Sequence, residues 1–289
     1  MNLYGSGNDP KAEKPAKKKI TVPEIRAIKG TDRRISMVTC YDYTFAKLVD
    51  KSDIEMILVG DSLNMLMLGH SGTVGATVDD MIYHIKPVVA GAPHTFVVGD
   101  MPFGAYNSDL YRAVDNATRV FAEGGCDCLK MEGGIHTVPY IEAAAKGGIP
   151  VMGHIGLTPQ AAAMLGGFKV QGKSSKAAQD LVDLAKAVEQ AGAFCLNLEG
   201  IPTGVAKRIT EELTIPTMGI GAGVYCDSQD IVGFDMLGFH DFVPKFVKRY
   251  ADCGRIIVDA YNEFHKDVME GKFPTAEHSY NTVVEGFEV

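Results

Sequence analysis

The sequence predicts an α/β fold, specifically a closed (β/α)8 or TIM barrel. Short apolar runs typical of buried strands recur along the chain, and segments with helical periodicity separate them. Parallel neighbouring strands need such a crossover between them. Seven or eight strand–helix units within 289 residues suit this barrel, which typically needs about 250 residues. An open dinucleotide-binding sheet is disfavoured because DYTFAKLVD, which follows the first predicted strand, contains no glycine.

Eight segments are predicted as strands. Each is short and apolar, and most are rich in residues that favour strands. The last segment is the weakest prediction of the eight. They are ISMVTCY (35–41), EMILVG (55–60), TFVVGD (95–100), CDCLKME (126–132), IPVMGHI (149–155), FCLNLE (194–199), IPTMGIG (215–221) and GFDMLGF (233–239).

Two helical patterns are clear. In AAQDLVDLAKAVEQAGA the apolar residues recur at helical spacing, and Gly192 follows as a typical helix end. Residues 245–271 are predicted as a C-terminal helix with apolar residues near one side. That side could close the barrel floor or dock on a neighbouring subunit. Its residues are Ile257, Tyr261, Phe264 and Val268.

The predicted domain organisation is a tail followed by one barrel. Residues 1–20 contain many lysines and little apolar sequence, so they are expected to form a flexible N-terminal tail. Residues 21–289 are expected to form a single (β/α)8 catalytic domain with the C-terminal helix. A glycine-bearing loop at residues 166–175, after the fifth strand, is a candidate lid.

Composition excludes several classes of function. A net charge of −8 argues against nucleic-acid binding, which requires a basic face. No apolar stretch reaches the length of about 18 residues needed to span a membrane, and the N-terminus lacks the apolar segment of a signal peptide. Six cysteines without an export signal are expected to be reduced thiols in the cytoplasm. Cys126 and Cys128 are separated by one residue, which is closer than zinc ligands usually are.

Polar side chains cluster at the carboxyl ends of five consecutive predicted strands, where (β/α)8 enzymes carry their catalytic groups. Alternation along a strand places Lys130 and Glu132 on one face, and Asn197 and Glu199 likewise. The strand ends carry Asp61 and Ser62, Asp100, Lys130 and Glu132, His154, and Asn197 and Glu199.

Each of these residues alone also has a structural explanation. A strand-end aspartate often caps the next helix, Lys130 and Glu132 could form a structural ion pair, and a buried histidine is often only hydrogen-bonded. Glu199 could be a solvated loop residue. The rim would be catalytically inert only if all of these explanations held together, so the set favours an active site.

The chemistry that suits this set is proton abstraction assisted by a metal. Carboxylate oxygens are the ligands that Mg2+ prefers, and one or two protein carboxylates often hold it. Asp61 and Asp100 could supply them, Lys130 matches a negatively charged substrate, and Glu199 is left as a base. Such a site could remove a proton beside a carbonyl while the metal acts as a Lewis acid.

An ordered series of motifs resembles the ketopantoate hydroxymethyltransferase family over about residues 20–280. The motifs are LVGDSLNM, VGDMPFGAY, CLKMEGG, MGHIGLTPQ, GGFKVQGK, NLEGIP, GIGAG with CDSQ, and DMLG. The resemblance implies a (β/α)8 enzyme of pantothenate and coenzyme A biosynthesis. It transfers a one-carbon unit from 5,10-methylenetetrahydrofolate to 3-methyl-2-oxobutanoate (α-ketoisovalerate) and forms 2-dehydropantoate (ketopantoate) through an enolate.

The resemblance also implies roles for individual residues and an assembly. Asp61, Asp100 and Glu132 match positions at the Mg2+ site, and Glu199 matches the proposed proton acceptor. Asp61 and Asp100 also match substrate-binding positions. Homodecamers are usual in the family, so a homo-oligomer is expected. Further substrate-binding positions are matched by Ser62, Lys130 and His154.

Some residues depart from the family's usual pattern, and two other functions stay open. Ser228 and Phe234 stand where glycine and histidine are expected, and Gly200 stands where cysteine is common. The nearest alternative is another Mg2+-dependent enolate enzyme, of the isocitrate lyase or phosphoenolpyruvate mutase type. Those enzymes usually carry a cysteine-bearing loop that this sequence lacks. A non-catalytic scaffold barrel is the other alternative, and the complete polar rim argues against it.

Overall fold

The computed structural model describes residues 17–280, 282 and 284–287. The chain divides into two compact units, one that ends at Val232 and one that begins at Gly233. The predicted tail, residues 1–20, lies mostly outside the described residues. Of its last residues, Ile20 is buried in the core, and Lys19 forms an ion pair of 2.8 Å with Asp127. The predicted domain boundaries otherwise remain a prediction.

The first unit contains a closed barrel of parallel strands in the order β1 to β8, with β8 paired to β1. This confirms the predicted (β/α)8 fold. The strands are β1 (Ser36–Thr39), β2 (Met56–Val59), β3 (Phe96–Asp100), β4 (Cys128–Glu132), β5 (Val151–Gly156), β6 (Cys195–Glu199), β7 (Thr217–Ile220) and β8 (Ser228–Ile231).

Helices connect successive strands through most of the barrel. Those of the first unit are α1 (Val22–Arg26), α2 (Tyr43–Asp50), α3 (Leu63–Leu66), α4 (Val78–Gly91), α5 (Leu110–Gly124), α6 (Val138–Lys146), α7 (Ala162–Leu165), α8 (Ser175–Gln190) and α9 (Thr203–Glu212). The second unit contains α10 (Gly233–Met236) and α11 (Cys253–Met269). Short 3-10 turns lie at Ile135–Thr137, Pro159–Ala161 and Ala276–His278.

The prediction for the eighth strand was wrong. Residues 233–239 were expected to form it, but their first four residues form α10, and the barrel closes through Ser228–Ile231 instead. This strand was missed because it is not an apolar run. Ser228 and Asp230 are buried, while Gln229 between them is exposed. Two polar residues on the buried face conceal the strand from a search for apolar segments.

A methionine-rich core fills the amino-terminal end of the barrel. The first inward-facing residues of successive strands meet there, among them Met37, Met56 and Phe96. Ile25 and Ile28, from α1 and the turn after it, belong to the same cluster and are almost completely buried. Deleting the side chain of such a residue costs about 2–5 kcal/mol. Apolar packing therefore closes this end of the barrel and leaves the other end for polar groups.

The C-terminal helix α11 confirms the predicted helix but begins later, at Cys253 instead of residue 245. None of its residues is buried. It carries several exposed apolar side chains, including Val258, Tyr261, Phe264 and Met269. The six cysteines are all free thiols, five of them buried. Within the described residues, no helix has the length and apolar character to cross a bilayer.

A candidate active site at the carboxyl end of the barrel

Strand register brings the predicted polar residues to one level of the barrel. Asp100 on β3 lies beside Lys130 on β4, and Glu132 lies beside His154 on β5. On the next strand pair, Gly156 lies beside Glu199. All of these residues come from the carboxyl ends of their strands. The parallel barrel therefore converges them at one rim, as the sequence predicted.

Asp61, Asp100 and Lys130 form the first group in this site. The backbone N–H of Asp61 donates to Asp100 Oδ2 at 3.3 Å, and Lys130 Nζ donates to the same oxygen at 2.6 Å. All three side chains are buried. Burial raises the pKa of Asp61, and the nearby Asp100 and Glu132 raise it further. Burial lowers the pKa of Lys130, but Asp100, Glu132 and Asp61 outweigh that effect and raise it.

Glu132, His154 and Glu199 form a second group in a row. His154 Nδ1 lies 3.2 Å from Glu132 Oε2, and its Nε2 lies 3.2 Å from Glu199 Oε2. These are ion-pair distances, although neither contact has hydrogen-bond geometry. Burial lowers the pKa of His154, but the two carboxylates raise it to about 9 overall. The imidazolium is therefore held between the proposed base and the centre of the site.

Gln160 is a site residue that the sequence interpretation did not select. Its Nε2 donates to Asp61 Oδ2 and to the Met101 carbonyl oxygen, each at 2.9 Å. Its backbone N–H donates to Glu132 Oε1 at 2.8 Å. The hydroxyl of Tyr106 lies 2.9 Å from the carbonyl oxygen of Glu132. Gln160 ends the motif MGHIGLTPQ and Tyr106 ends the motif VGDMPFGAY, so the motifs offered a signal for both residues.

Ser62 lies at the edge of this site. It immediately precedes the four-residue helix α3, and its Oγ lies 2.9 Å from the hydroxyl of Tyr41. The structure thus brings Ser62 next to Asp61 at the end of β2, as the sequence requires. Its predicted contact with a substrate remains a prediction.

The charge balance and the donor atoms of the site fit a hard divalent cation. Four carboxylates, those of Asp61, Asp100, Glu132 and Glu199, face two cationic groups, Lys130 and His154. Asp100 Oδ1 and Glu132 Oε2 are buried and have no hydrogen-bond partner among the described residues. Carboxylate oxygens with unused lone pairs are suitable ligands for Mg2+.

The described part of the chain contains no group of three or more His, Cys, Asp and Glu side chains arranged to hold a metal ion. This agrees with the usual binding of Mg2+ by one or two carboxylates together with water and substrate oxygens. The predicted binding of a metal by Asp61 and Asp100 remains a prediction. Glu132 is already engaged by His154 and Gln160, so its direct contact with a metal remains a prediction.

A cavity of about 450 Å³ adjoins the site. Glu132 and Gln160 line its inner side, and the loops after β2, β3, β4 and β5 form its walls. Val74, Phe103 and Met164 make part of this wall apolar, and all three side chains are exposed. The cavity is therefore an open compartment that leads from the surface to the carboxylates.

Sequence profiles and relatives identify the family. The profile of ketopantoate hydroxymethyltransferase matches residues 19–276. The chain belongs to this family. It is 54% identical to the 3-methyl-2-oxobutanoate hydroxymethyltransferase of Heliobacterium modesticaldum over 91% of this chain and 96% of that protein. It is 51% identical to the enzyme of the same name from Oleidesulfovibrio alaskensis, over 90% of each. This family member is thus a transferase enzyme that acts on small molecules.

Solved structures with a similar fold include two other enzymes. Phosphonopyruvate hydrolase in complex with oxalate and Mg2+ matches with a TM-score of 0.59 and 12% identity, over 90% of this chain and 93% of that one. A 2,3-dimethylmalate lyase of the phosphoenolpyruvate mutase and isocitrate lyase superfamily matches with a TM-score of 0.57 and 15% identity, over 89% and 93%. At this identity the likeness concerns the fold alone.

Proposed function

We propose that this enzyme transfers a hydroxymethyl group from 5,10-methylenetetrahydrofolate to 3-methyl-2-oxobutanoate through an enolate of the oxoacid. The product is 2-dehydropantoate, used in pantothenate and coenzyme A biosynthesis. Family membership supports the overall reaction. The observation that supports the mechanism is the row from Glu199 through His154 to Glu132, because the charge of Glu132 acts in turn on the buried carboxylates of Asp61 and Asp100.

Asp61 and Asp100 would hold Mg2+, with Glu132 nearby. Bound Mg2+ would polarise the keto group and stabilise the negative charge of the enolate, which supplies several kcal/mol of barrier reduction. The unpartnered Asp100 Oδ1 and the excess of carboxylates support this assignment. A structurally similar barrel, phosphonopyruvate hydrolase, is described with oxalate and Mg2+, which is compatible with the same ligand type here.

The oxoacid carboxylate requires positive charge and hydrogen-bond donors. Lys130 is buried beside Asp100 and keeps its charge, because the surrounding carboxylates raise its pKa. We assign it to the substrate carboxylate, together with Ser62. His154 would contribute a second positive charge, between Glu132 and Glu199. These groups orient the oxoacid so that its C3–H bond faces β6.

Glu199 is the proposed base. It would take the C3 proton, and the electron pair of the C–H bond would become the enolate double bond. His154 Nε2 lies 3.2 Å from Glu199 Oε2, and this contact would hold the carboxylate in place for the proton transfer. The side chain of Glu199 is 17% exposed, so the proton can pass to solvent afterwards. A positioned base contributes about 100- to 10,000-fold in rate.

The folate cosubstrate would occupy the cavity beside Glu132 and Gln160. Its aromatic rings suit the apolar side chains of Phe103 and Met164, and the volume of about 450 Å³ leaves room for a large ligand. In this position the methylene carbon would approach the enolate from the open side of the barrel. The new C–C bond would replace the carbon's bonds to the folate nitrogens, one water would supply the oxygen of the hydroxyl group, and tetrahydrofolate would be released. Phe103→Ala should therefore weaken folate binding more than oxoacid binding.

Cellular location and assembly are also proposals. The six free thiols agree with a reducing compartment such as the cytoplasm. The exposed apolar side chains of α11 agree with a homodecamer, the usual assembly in the family. Both proposals concern where and in what form the enzyme acts, and neither changes the chemistry of the site.

Proton exchange at C3 of 3-methyl-2-oxobutanoate, followed by NMR in deuterated buffer, tests the proposed reaction. We expect exchange with enzyme and Mg2+ alone, and 2-dehydropantoate only after 5,10-methylenetetrahydrofolate is added. Exchange without product formation in the presence of folate would favour another enolate enzyme, of the isocitrate lyase or phosphoenolpyruvate mutase type. Absence of exchange would contradict the enolate step.

A further inference from the structure

Asn197 and Asp230 form a buried polar pair that the proposed reaction does not use. Asn197 Nδ2 donates to Asp230 Oδ2 at 3.3 Å. Asn197 is 1% exposed and Asp230 is 7% exposed. The other oxygen of each side chain, Asn197 Oδ1 and Asp230 Oδ1, is buried and receives no hydrogen bond from any residue that the structure describes.

The pair faces the interior of the barrel beside the proposed base. Asn197 precedes Glu199 by two residues on β6, so their side chains share a face, and it lies beside His154 in the strand register. Asp230 lies on β8 and reaches Asn197 past β7. Burial raises the pKa of Asp230 to about 7, while the charges of Lys130, Glu199 and His154 also act on it. The pair therefore belongs to the inner wall of the same site.

Two unpaired acceptor oxygens at this depth require a hydrogen-bond donor. A buried acceptor without a partner destabilises the protein, and a methyl group placed against it offers no compensation. A hydroxyl group would supply the missing donor. Because Glu199 must reach C3 of the oxoacid, a substituent on C3 that points inward would point toward Asn197, its neighbour on the same face.

We propose that Asn197 and Asp230 form a polar subsite that accepts a hydrogen bond from a hydroxyl group on the side chain of a 2-oxo acid. The inference rests on the proposed function, since it assumes that the oxoacid lies against Glu199. The product 2-dehydropantoate already carries a hydroxyl group, but its hydroxymethyl carbon would arrive from the open side, so the subsite concerns a hydroxyl group on the inward side of the oxoacid, toward β6 and β8. A hydroxyl group and a methyl group are nearly equal in size. The subsite would therefore select between them by the hydrogen bond and not by volume.

Two competitors of matched shape test the subsite. In 4-hydroxy-3-methyl-2-oxobutanoate a hydroxyl occupies the position that a methyl group has in 3-methyl-2-oxopentanoate. Each compound is used to inhibit C3 exchange of 3-methyl-2-oxobutanoate with Mg2+ and without folate, and NMR reports the exchange together with any change in the competitor. We expect the hydroxylated compound to bind roughly 10- to 100-fold more tightly than the methyl compound.

The double variant Asn197→Val/Asp230→Val replaces the pair by apolar side chains of similar size. Replacing both partners together is compatible with folding, because no single unpaired group is left. This variant should prefer the methyl compound. Ser228→Ala is the control. Ser228 is a buried polar residue of β8 whose hydroxyl oxygen already accepts a hydrogen bond from the backbone N–H of Ile35. It should keep the wild-type ratio of inhibition constants.

The outcomes separate this inference from the proposed function. Loss of C3 exchange in the wild-type enzyme would contradict the proposed function itself. Normal exchange with equal inhibition by the two compounds, or a ratio that the double variant leaves unchanged, would overturn the subsite. A ratio unchanged in the double variant would mean that buried water donates hydrogen bonds to Asn197 Oδ1 and Asp230 Oδ1.

Discussion

At the residue scale, the exposure of Glu199 distinguishes it from the other acidic residues of the barrel rim. Asp61 and Asp100 are almost completely buried, whereas the side chain of Glu199 keeps 17% of its surface accessible. It contacts a histidine, and Asp100 contacts a lysine. One acidic residue can thus exchange protons with solvent while the others form a closed charged group. This difference supports separate roles for a base and for metal ligands.

Glu199→Gln tests the base. Glutamine has the same shape but no carboxylate to accept the C3 proton, so turnover and C3 exchange should fall about 100- to 10,000-fold. Binding of 3-methyl-2-oxobutanoate, measured by calorimetry with Mg2+, should change little. Glu211→Gln on the exposed face of α9 is the matched control and should keep full activity. Wild-type turnover in Glu199→Gln would exclude the residue from this role.

Asp61→Asn tests the metal site through stability instead of turnover. Mg2+ that binds only the folded enzyme raises its stability, by about 2.7 kcal/mol at a concentration of one hundred times Kd. The variant should lose most of this gain in thermal unfolding. Without Mg2+ it should unfold at a temperature equal to or above that of the wild type, because one of the mutually repelling carboxylates is gone.

The control for the metal test is Asp115→Asn, an exposed aspartate on α5. It should show the same gain in unfolding temperature with Mg2+ as the wild type. An Asp61→Asn enzyme that Mg2+ stabilises as strongly as the wild type would place the metal elsewhere.

At the scale of elements, the ends of β5 and β6 approach each other closely at the site. Gly156 ends β5 with φ of +101°, and a Cβ atom there would overlap the backbone oxygen of Glu199 and lie 2.7 Å from Cγ2 of Ile201. Only glycine permits both this conformation and this approach. The glycine therefore determines how near the strand that carries His154 comes to the strand that carries Glu199.

Gly156→Ala should displace the end of β6 and the proposed base with it. We expect a loss of stability of about 2–4 kcal/mol and a fall in turnover, measured by denaturant unfolding and by C3 exchange. Gly148→Ala separates strain from overlap, because Gly148 also has positive φ (+89°) but has open space around its Cβ position. It should cost about 1 kcal/mol and leave turnover unchanged. Equal effects of the two substitutions would contradict the overlap argument.

At the scale of the whole molecule, the exposed apolar side chains of α11 would suit the proposed self-association. Large exposed apolar surfaces are uncommon on monomeric soluble proteins and mark interaction sites. Light scattering should give a mass of about ten times 31.1 kDa if the homodecamer forms. Tyr261→Glu combined with Phe264→Glu should lower that mass, since both side chains are exposed on α11.

A control for the assembly test lies on the same helix. Lys266→Glu changes the charge of an exposed polar residue of α11 and should leave the mass unchanged. A wild-type mass near 31.1 kDa would contradict the expected assembly.

The sequence by itself determined the barrel and most of its rim. Strand alternation put Lys130 with Glu132, and Asn197 with Glu199, on shared faces, and the structure places each pair on one strand as expected. These predictions succeeded because the period of a strand is local and readable in a few residues. The same reasoning failed for β8, where buried polar residues replace the apolar pattern.

Only the tertiary structure decided which polar groups meet. Gln160 reaches Asp61 across 99 positions of the chain, and Asn197 reaches Asp230 across 33. No local pattern predicts such contacts, because they depend on how the barrel closes and on the shift between neighbouring strands. Closure of the barrel thus creates the polar subsite and the row from Glu132 through His154 to Glu199. The residues that form them come from separate strands.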